Sequence, residues 1–369
     1  MQFDFKQKPI KVKSVVISIL ISFLIGSLII LLSGTNPLTA FQTMIKGAVG
    51  SKFAISSSIR WATPLIFTGL AAATTFRCGM FNIGVEGQMY IGAFFAAWAG
   101  FTFTSLPPYI HILLCLLFGV IGGVIWAIFP AIMRVKFGAS EMVMTLMLNY
   151  VAMNLTDYLT RYHFLASGVA GHSIISEDIS ENAVLPRIWS GSSAHWGILI
   201  GIICVILFWF IIKKTSFGYE LHVCGINPEF AKYGGVKVDR VMIKAMLLSG
   251  AFAGLAGATE VMGVLGRYMS GFSPDFGFDG IVVALLGANS PFGVGISAFF
   301  LGLVKAGSLQ LERAASISRS IAMIIQGLMV TFISCSSLGS WGKVDSIFAK
   351  AKERLVKTGV SKKGNSDQK

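Results

Sequence analysis

Four carboxylates in or beside long apolar runs are the side chains of this sequence best placed for chemistry. They are Glu86, Glu141, Asp157 and Glu260. A charge inside a bilayer is costly and persists where it has a partner or a function, so such residues mark ion paths, proton relays or solute sites. None has a Lys or Arg partner in its own run. Glu141 follows Gly-Ala-Ser, where a helix dipole alone would favour it, whereas Glu260 is the best candidate for facing a polar cavity.

Amide side chains form a second set of candidates. The segment RCGMFNIGVEGQM (77–89) holds three glycines and three polar residues just before a helix, and it would offer hydrogen bonds to a polar solute or form a tight turn. Two asparagines share a later helix, where they would line a solute path or bond to neighbouring helices. The predicted solute-path residues are Asn82, Glu86, Gln88, Asn149, Asn154 and Glu260.

Motifs for catalysis and metal binding are absent from the sequence. There is no GxxxxGK[ST], so any ATP hydrolysis must come from another polypeptide. The five histidines include no HExxH pair, no GxSxG is present, and the five cysteines have no CxxC spacing. We therefore expect no enzymatic activity, no disulfide, no metal and no cofactor of its own.

An apolar scaffold must position these residues. Of 369 residues, 54% are hydrophobic and 13% charged, and the mean hydropathy is +0.73. Because apolar stretches of about 20 residues recur along the chain, we predict an all-α, polytopic membrane protein with about ten transmembrane helices. The predicted spans are 14–32, 61–76, 88–104, 109–133, 142–159, 196–212, 242–265, 281–288, 293–306 and 321–338.

Several features of the spans predict how they are arranged. Small residues spaced by four, Gly250, Gly254 and Ala258, and the pair Gly119 and Gly123, favour close helix packing. Asn289, Ser290 and Pro291 interrupt one apolar stretch, so its two half-length pieces would be a re-entrant pair.

The net charge of +13 is explained by membrane orientation and not by nucleic acid. Threading the spans alternately puts most Lys and Arg inside, with both termini cytoplasmic. The chain then divides into 1–60 (cytoplasmic stub, first helix and outer loop), 61–340 (transmembrane domain) and 341–369 (basic cytoplasmic tail near anionic lipid). Within the transmembrane domain, 161–195 is a polar outer connection suited to a cap or docking surface, and 213–240 is a polar inner connection.

The inner connection is the part with the most specific sequence. It reads TSFGYELHVCGINPEFAKYGGV (215–236) and resembles the loop by which permease subunits of ATP-binding-cassette importers engage their ATPase, in the form found in ribose-type and branched-chain-amino-acid-type permeases. Three further stretches are similar to that family: FNIGVEGQM (81–89), GASEMVMTLMLNYVA (138–152) and SPDFGFDGIVVALLGANSPFGV (273–294). His222-Val-Cys224 departs from the family, which has a short Arg/Ala stretch there.

The resemblance implies a type II ABC importer-like permease in a bacterial cell membrane. NIGVEGQ, combined with E-x-x-x-T-L-M-L-N-Y, is most similar to permeases of nucleoside importers, of which this chain looks like the larger subunit. The implied partners are an ABC ATPase that binds the ATP, a second permease subunit, an extracytoplasmic substrate-binding lipoprotein and the lipid bilayer, with no nucleic acid. Alternatives are a ribose-type sugar permease, an ion-coupled transporter using Glu260 or Glu86, and a membrane enzyme.

The resemblance also assigns the contact with the ATPase to a short helix that would fit a groove of that protein. Asn227 and Pro228 would begin this helix, because proline is tolerated in a first turn. An unbound interfacial helix is the alternative. The implied coupling residues are Phe217, Gly218, Glu220, Gly225, Asn227, Pro228, Ala231 and Gly234.

Overall fold

The computed structural model describes residues 36–167 and 173–314, together with Ser27, Leu31 and Gly327. Within these residues the regular secondary structure is helical apart from three isolated β-bridges, which confirms the all-α prediction. The helices are α1 (Pro37–Val49), α2 (Lys52–Arg77), α3 (Val85–Thr102), α4 (Pro108–Phe137), α5 (Glu141–His163), α6 (Gly197–Lys214), α7 (Ser216–Ile226), α8 (Pro228–Tyr233), α9 (Val238–Glu260), α10 (Phe276–Leu286) and α11 (Pro291–Ala314).

Four described helices are long and apolar enough to cross a membrane by themselves. They are Pro108–Phe137, Gly197–Lys214, Val238–Leu265 and Pro291–Arg313, the third continuing from α9 through one π-helical turn. Eight of the ten predicted spans overlap described helices. The other two, 14–32 and 321–338, lie outside the described residues except for Ser27, Leu31 and Gly327.

The break at Asn289–Pro291 separates two helices of unequal length. Helix α10 has 11 residues, about 16 Å, whereas α11 has 24 residues, about 36 Å. Only α10 is therefore about half the length of a membrane span. The predicted pair of half-length pieces is wrong for α11. Ala288 and Asn289, with φ of 50° and 52°, turn the chain between α10 and α11. The Arg77 Nε at the end of α2 donates to the Asn289 carbonyl at 2.7 Å.

Small residues set the contact between α4 and α9, as their spacing predicts. A Cβ added at Gly254 would overlap the Gly119 carbonyl oxygen, and one added at Gly123 would lie 2.9 Å from the Gly254 Cα. A Cβ at Gly250 would lie 2.7 Å from the Ala127 Cβ. The two backbones touch because the residues at the crossing carry no side chain larger than a methyl group.

Helix α2 is the central helix of the bundle. Every residue from Ala62 to Phe76 is buried. Helices α4 and α6 lie outside it and expose leucine and isoleucine side chains, as a surface facing hydrocarbon would. The outer connection runs along the chain that follows α9: the Ile179 N–H donates to Gly266 O at 2.9 Å, and the Leu185 N–H donates to Met262 O at 2.9 Å.

Candidate solute pathway and coupling segment

An irregular segment between α2 and α3 is held by buried amide side chains. Asn82 Nδ2 donates to Gln88 Oε1 at 3.1 Å and to Ser249 Oγ of α9 at 2.9 Å. The Asn82 Oδ1 accepts from the Gly84 N–H at 2.9 Å. Asn82 therefore joins the start of α3 to α9, and its hydrogen bonds are already made within the protein.

Asn149 holds the same segment from α5. Its Oδ1 accepts from the Gly87 N–H at 2.8 Å, and its Nδ2 donates to Ile83 O at 3.0 Å. The approach is close, because a Cβ at Gly87 would lie 2.9 Å from the Asn149 Cα. Hydrogen bonding between helices, one of the two roles expected for Asn149, is thus present. Asn154 is exposed on another side of α5, and within the described part of the chain its side chain bonds only to Tyr150 O, so the structure does not bring it to this cluster.

Glu86 faces the beginning of α10. Its Oε2 accepts from the Gly277 N–H at 2.5 Å, where the positive end of the helix dipole favours an anion. Its Oε1 is buried and has no hydrogen-bond partner among the described residues. Glu86 therefore links the starts of two helices, α3 and α10, inside the bundle.

Two ion pairs lie beside the start of α10, and we call Arg60, Glu260, Asp279 and Lys305 the ion-pair layer. Arg60 of α2 pairs with Glu260 of α9. Lys305 of α11 pairs with Asp279 of α10, with Nζ and Oδ2 2.5 Å apart. The Glu260 side chain is 0% exposed. Its cationic partner lies on another helix, so the absence of Lys and Arg from its own span did not mean that the carboxylate is unpaired.

Two aromatic rings complete the layer. Trp61 and Phe276 have ring centroids 5.6 Å apart. The Arg60 guanidinium carbon lies 4.2 Å from the Trp61 centroid, and Lys305 Nζ lies 5.3 Å from it. Each cation thus contacts a carboxylate and a ring face, which lowers the cost of burying it.

Sequence reasoning missed three of the four charges of this layer as functional candidates. Lys305 had a signal, because a lysine inside an apolar run needs a partner. Arg60 lies beside the predicted boundary of its span, where a basic residue is ordinary, and Asp279 precedes its predicted span by two residues.

His195 is buried where the outer connection meets the bundle. Its Nδ1 accepts from the Gly197 N–H at 3.2 Å, and a Cβ added at Gly263 would lie 2.4 Å from the same Nδ1. Burial lowers the pKa of His195 to about 4, and the nearby Arg60 charge contributes to the same shift. The imidazole is therefore neutral at physiological pH.

The inner connection folds into α7 and α8. Thr215 caps α7 by accepting from the Gly218 N–H at 3.2 Å, and Asn227 caps α8 by accepting from the Glu229 and Phe230 N–H groups at 3.0 and 3.1 Å. Helix α8 begins at Pro228, where the sequence predicts it.

The eight predicted coupling residues divide by burial. Gly218 and Ala231 are buried, Gly225 is half-buried, and a Cβ added at Gly225 would overlap the Arg77 carbonyl oxygen at the end of α2. These three positions let the segment contact the bundle. Phe217 and Glu220 are half-buried, whereas Asn227, Pro228 and Gly234 are exposed.

Large side chains that the sequence reasoning did not select form the exposed surface of this segment. Tyr233 is 93% exposed and Phe230 67% exposed, and Tyr219 and Ile226 are exposed with them. We call these four residues the apolar patch. Exposed aromatic side chains in an otherwise polar connection would have been a usable signal, since such patches mark protein contacts.

Comparison with known proteins decides the family. The family described as branched-chain amino acid transport system / permease component matches residues 54–334, which include the ion-pair layer and the coupling segment. The chain belongs to this permease family. The resemblance to permease subunits of ABC importers is thereby confirmed, and the permease is a multi-pass membrane protein.

Three relatives of this permease cover most of its length. It is 35% identical to the guanosine ABC transporter permease protein NupP of Bacillus subtilis, over 87% of this chain and 92% of that one. It is 29% identical to the nucleoside ABC transporter permease protein NupB of Lactococcus lactis, over 97% and 98%. It is 31% identical to the glucose ABC transporter permease protein TsgB13 of Haloferax volcanii, over 87% and 86%.

Proposed function

We propose that this chain is the permease subunit of an ATP-driven importer for nucleosides, forming part of the solute pathway and coupling to a separate ATPase. The observation that carries the proposal is the similarity to NupP and NupB over nearly the whole chain. A simple sugar is the second candidate, because TsgB13 is named a glucose permease.

The solute pathway runs along the accessible side of the ion-pair layer. Asp275 is exposed just before α10, and the Asp279 and Arg60 side chains are 18% and 14% exposed. Charged side chains at the depth of a membrane span face water or protein and not lipid. This side of the chain therefore faces a hydrated path, which a second permease subunit closes from the other side.

The apolar patch is the contact with the ATPase. Helices α7 and α8 project it from the bundle, and Gly225 lies against the end of α2, so movement of the patch acts on α2. The sequence contains no phosphate-binding loop, so the ATP is bound by the partner. This assignment makes the inner connection cytoplasmic. We place both termini on the same side, as the distribution of Lys and Arg predicts, and the outer connection on the side of the lipoprotein that delivers solute.

The state of the buried carboxylates favours this proposal over ion-coupled transport. Glu260 is paired with Arg60, and Glu86 accepts from a backbone N–H. A coupling carboxylate must exchange its ion during each cycle, whereas Glu260 has a fixed counter-charge.

Uptake of labelled guanosine by cells with and without the gene tests the proposal. Deletion should abolish uptake, and excess uridine should compete while ribose, glucose and leucine should not. Collapsing the proton gradient while ATP is maintained should leave uptake intact. Competition by glucose or ribose alone would replace the nucleoside with a sugar, and loss of uptake on collapse of the gradient would contradict ATP coupling.

A further inference from the structure

We propose that a cavity between α1, α2 and α11 binds the phosphate group of an anionic membrane lipid. The cavity has a volume of about 230 Å³, far above the ~10–15 Å³ that one water molecule requires. Its walls are the end of α1, the start of α2 and the last turns of α11. The cavity is a different site from the ion-pair layer and the apolar patch, and the proposed function assigns no role to it.

Both charged side chains that line this cavity are cations. Lys46 belongs to the last turn of α1 and Arg313 to the last turn of α11. Within residues 36–167 and 173–314, neither forms an ion pair with a carboxylate. A helix dipole favours a cation at the end of each helix separately, but it leaves two positive charges on one cavity without a counter-ion. An anion bound between the two side chains would supply that counter-ion.

Neutral polar side chains of the lining can donate to the same anion. The Ser51 Oγ accepts from the Ala54 N–H at 3.1 Å, which leaves the Ser51 hydroxyl hydrogen available to donate. Ser57 and Gln310 add a hydroxyl and an amide group. Helices α1 and α11 touch at this point, because a Cβ added at Gly47 would overlap the Gln310 side chain. A phosphate group carries several acceptor oxygens and can accept from charged and neutral donors together.

The position of the cavity along the bundle fits a lipid headgroup. Helix α2 begins beside the cavity at Lys52 and ends at Arg77 beside the coupling segment. Its 26 residues span about 39 Å, which is close to the thickness of a bilayer with its headgroups. The cavity therefore lies at the headgroup level of the leaflet opposite the coupling segment, which is the outer leaflet in the proposed orientation.

Apolar side chains beside the cavity favour a lipid over a free phosphate ion. Phe53 is on the lining and is 70% exposed, and Ile45 and Val49 are exposed on α1 next to Lys46. The acyl chains of a lipid would cover these side chains, whereas a soluble ion would leave them uncovered. A zwitterionic headgroup brings its own cation, which Lys46 and Arg313 would repel, so the cavity should select a lipid with a net negative charge.

Lipid binding to the purified full-length chain, counted by native mass spectrometry, tests the proposal. The probes are phosphatidylglycerol and phosphatidylcholine with the same acyl chains, and the measured quantity is the Kd of the first lipid bound. The unmodified chain should bind phosphatidylglycerol more tightly by at least about fivefold. K46Q and R313Q should each weaken that binding by about fivefold, and the double variant by about twenty-five-fold, because a Lys or Arg near an anionic lipid contributes about 1 kcal/mol. Binding of phosphatidylcholine should stay the same.

Two further variants separate the cavity from general surface charge. S57L fills the cavity without changing the charge and should also weaken the binding of phosphatidylglycerol. The matched control is R161Q, which removes an exposed cation on α5 at the same end of the bundle and should leave both Kd values unchanged.

Several results would overturn the proposal. Equal binding of the two lipids, or equal weakening in K46Q and R161Q, would reduce the effect to ordinary surface attraction. Unchanged binding in S57L would place the lipid outside the cavity. Glycerol 3-phosphate carries the phosphate without acyl chains, so if it binds as tightly as phosphatidylglycerol, the ligand is a free phosphate and the lipid assignment is wrong.

Discussion

Breaking the Arg60–Glu260 pair from one side should destabilise the protein far more than removing both charges. In Glu260→Leu the Arg60 guanidinium stays mostly buried without its carboxylate, and such a change costs about 3–5 kcal/mol. The guanidinium keeps its contact with Trp61 at 4.2 Å and is 14% exposed, so we expect the lower end, about 3 kcal/mol. In the double variant R60M/E260L no charge remains, and the cost should be within about 1 kcal/mol of zero.

Unfolding of the purified permease by SDS titration in mixed micelles would give these free energies. The double-mutant cycle isolates the interaction from the loss of each side chain. The Arg267–Asp178 pair is the control, because its side chains are 34% and 66% exposed. Asp178→Leu should cost no more than about 1 kcal/mol. If Glu260→Leu is as stable as the unmodified protein, or if the double variant loses the sum of both single changes, the pair is not a buried unit.

Three further results are expected. Gly254→Ala should lower the free energy of unfolding by about 2 kcal/mol, because its Cβ would overlap a backbone carbonyl of α4, whereas Gly295→Ala, with its nearest atom at 3.6 Å, should be neutral in the same titration. The pKa of His195 is lowered to about 4 in the folded protein, whereas in the unfolded chain it is about 6.5. The contribution of His195 to the free energy of unfolding should therefore be complete above about pH 6.5 and should be lost as the pH falls towards 4, because the unfolded chain takes up the proton first. His195→Asn should remove that part of the pH dependence, and an identical pH profile would contradict the assignment. Tyr233→Ala should reduce co-purification of the ATPase and solute uptake together, while Tyr109→Ala, on α4 and 88% exposed, should not; equal loss in both would argue against the apolar patch as the ATPase contact.

Local patterns in the sequence were sufficient for eight of the spans and for one close helix contact, but not for helix α1 or for the full lengths of α2 and α11. Apolar length gave the spans, since a bilayer requires about 20 residues per helix. Pro228 located the start of α8 because its missing N–H is tolerated there. The spacing of Gly250 and Gly254 predicted a helix crossing because residues four apart share one face.

The partners of the polar residues could not be predicted in the same way. Arg60 and Glu260 are 200 positions apart, and nothing in the sequence around either residue identifies the other as its partner. Asn82, Gln88 and Asn149 were correctly expected to be polar groups inside an apolar scaffold, but an amide can bond to a solute or to a neighbouring backbone equally well. The fold decides between these two roles. In the folded chain, the Asn149 side chain bonds to the backbone of Ile83 and Gly87, at the start of α3.

Helix α2 connects the two parts of the proposed machinery. Its last residue, Arg77, touches Gly225 of the coupling segment with its carbonyl group, and its side chain bonds to Asn289 in the turn between α10 and α11. About 25 Å further along the same helix, Arg60 belongs to the ion-pair layer. A displacement of α7 therefore acts at once on α2, α10 and α11, the helices that carry Arg60, Asp279 and Lys305. One ion pair joins α2 to α9, and the other joins α10 to α11. A movement passed from the coupling segment along these helices would therefore either carry each pair intact or open it.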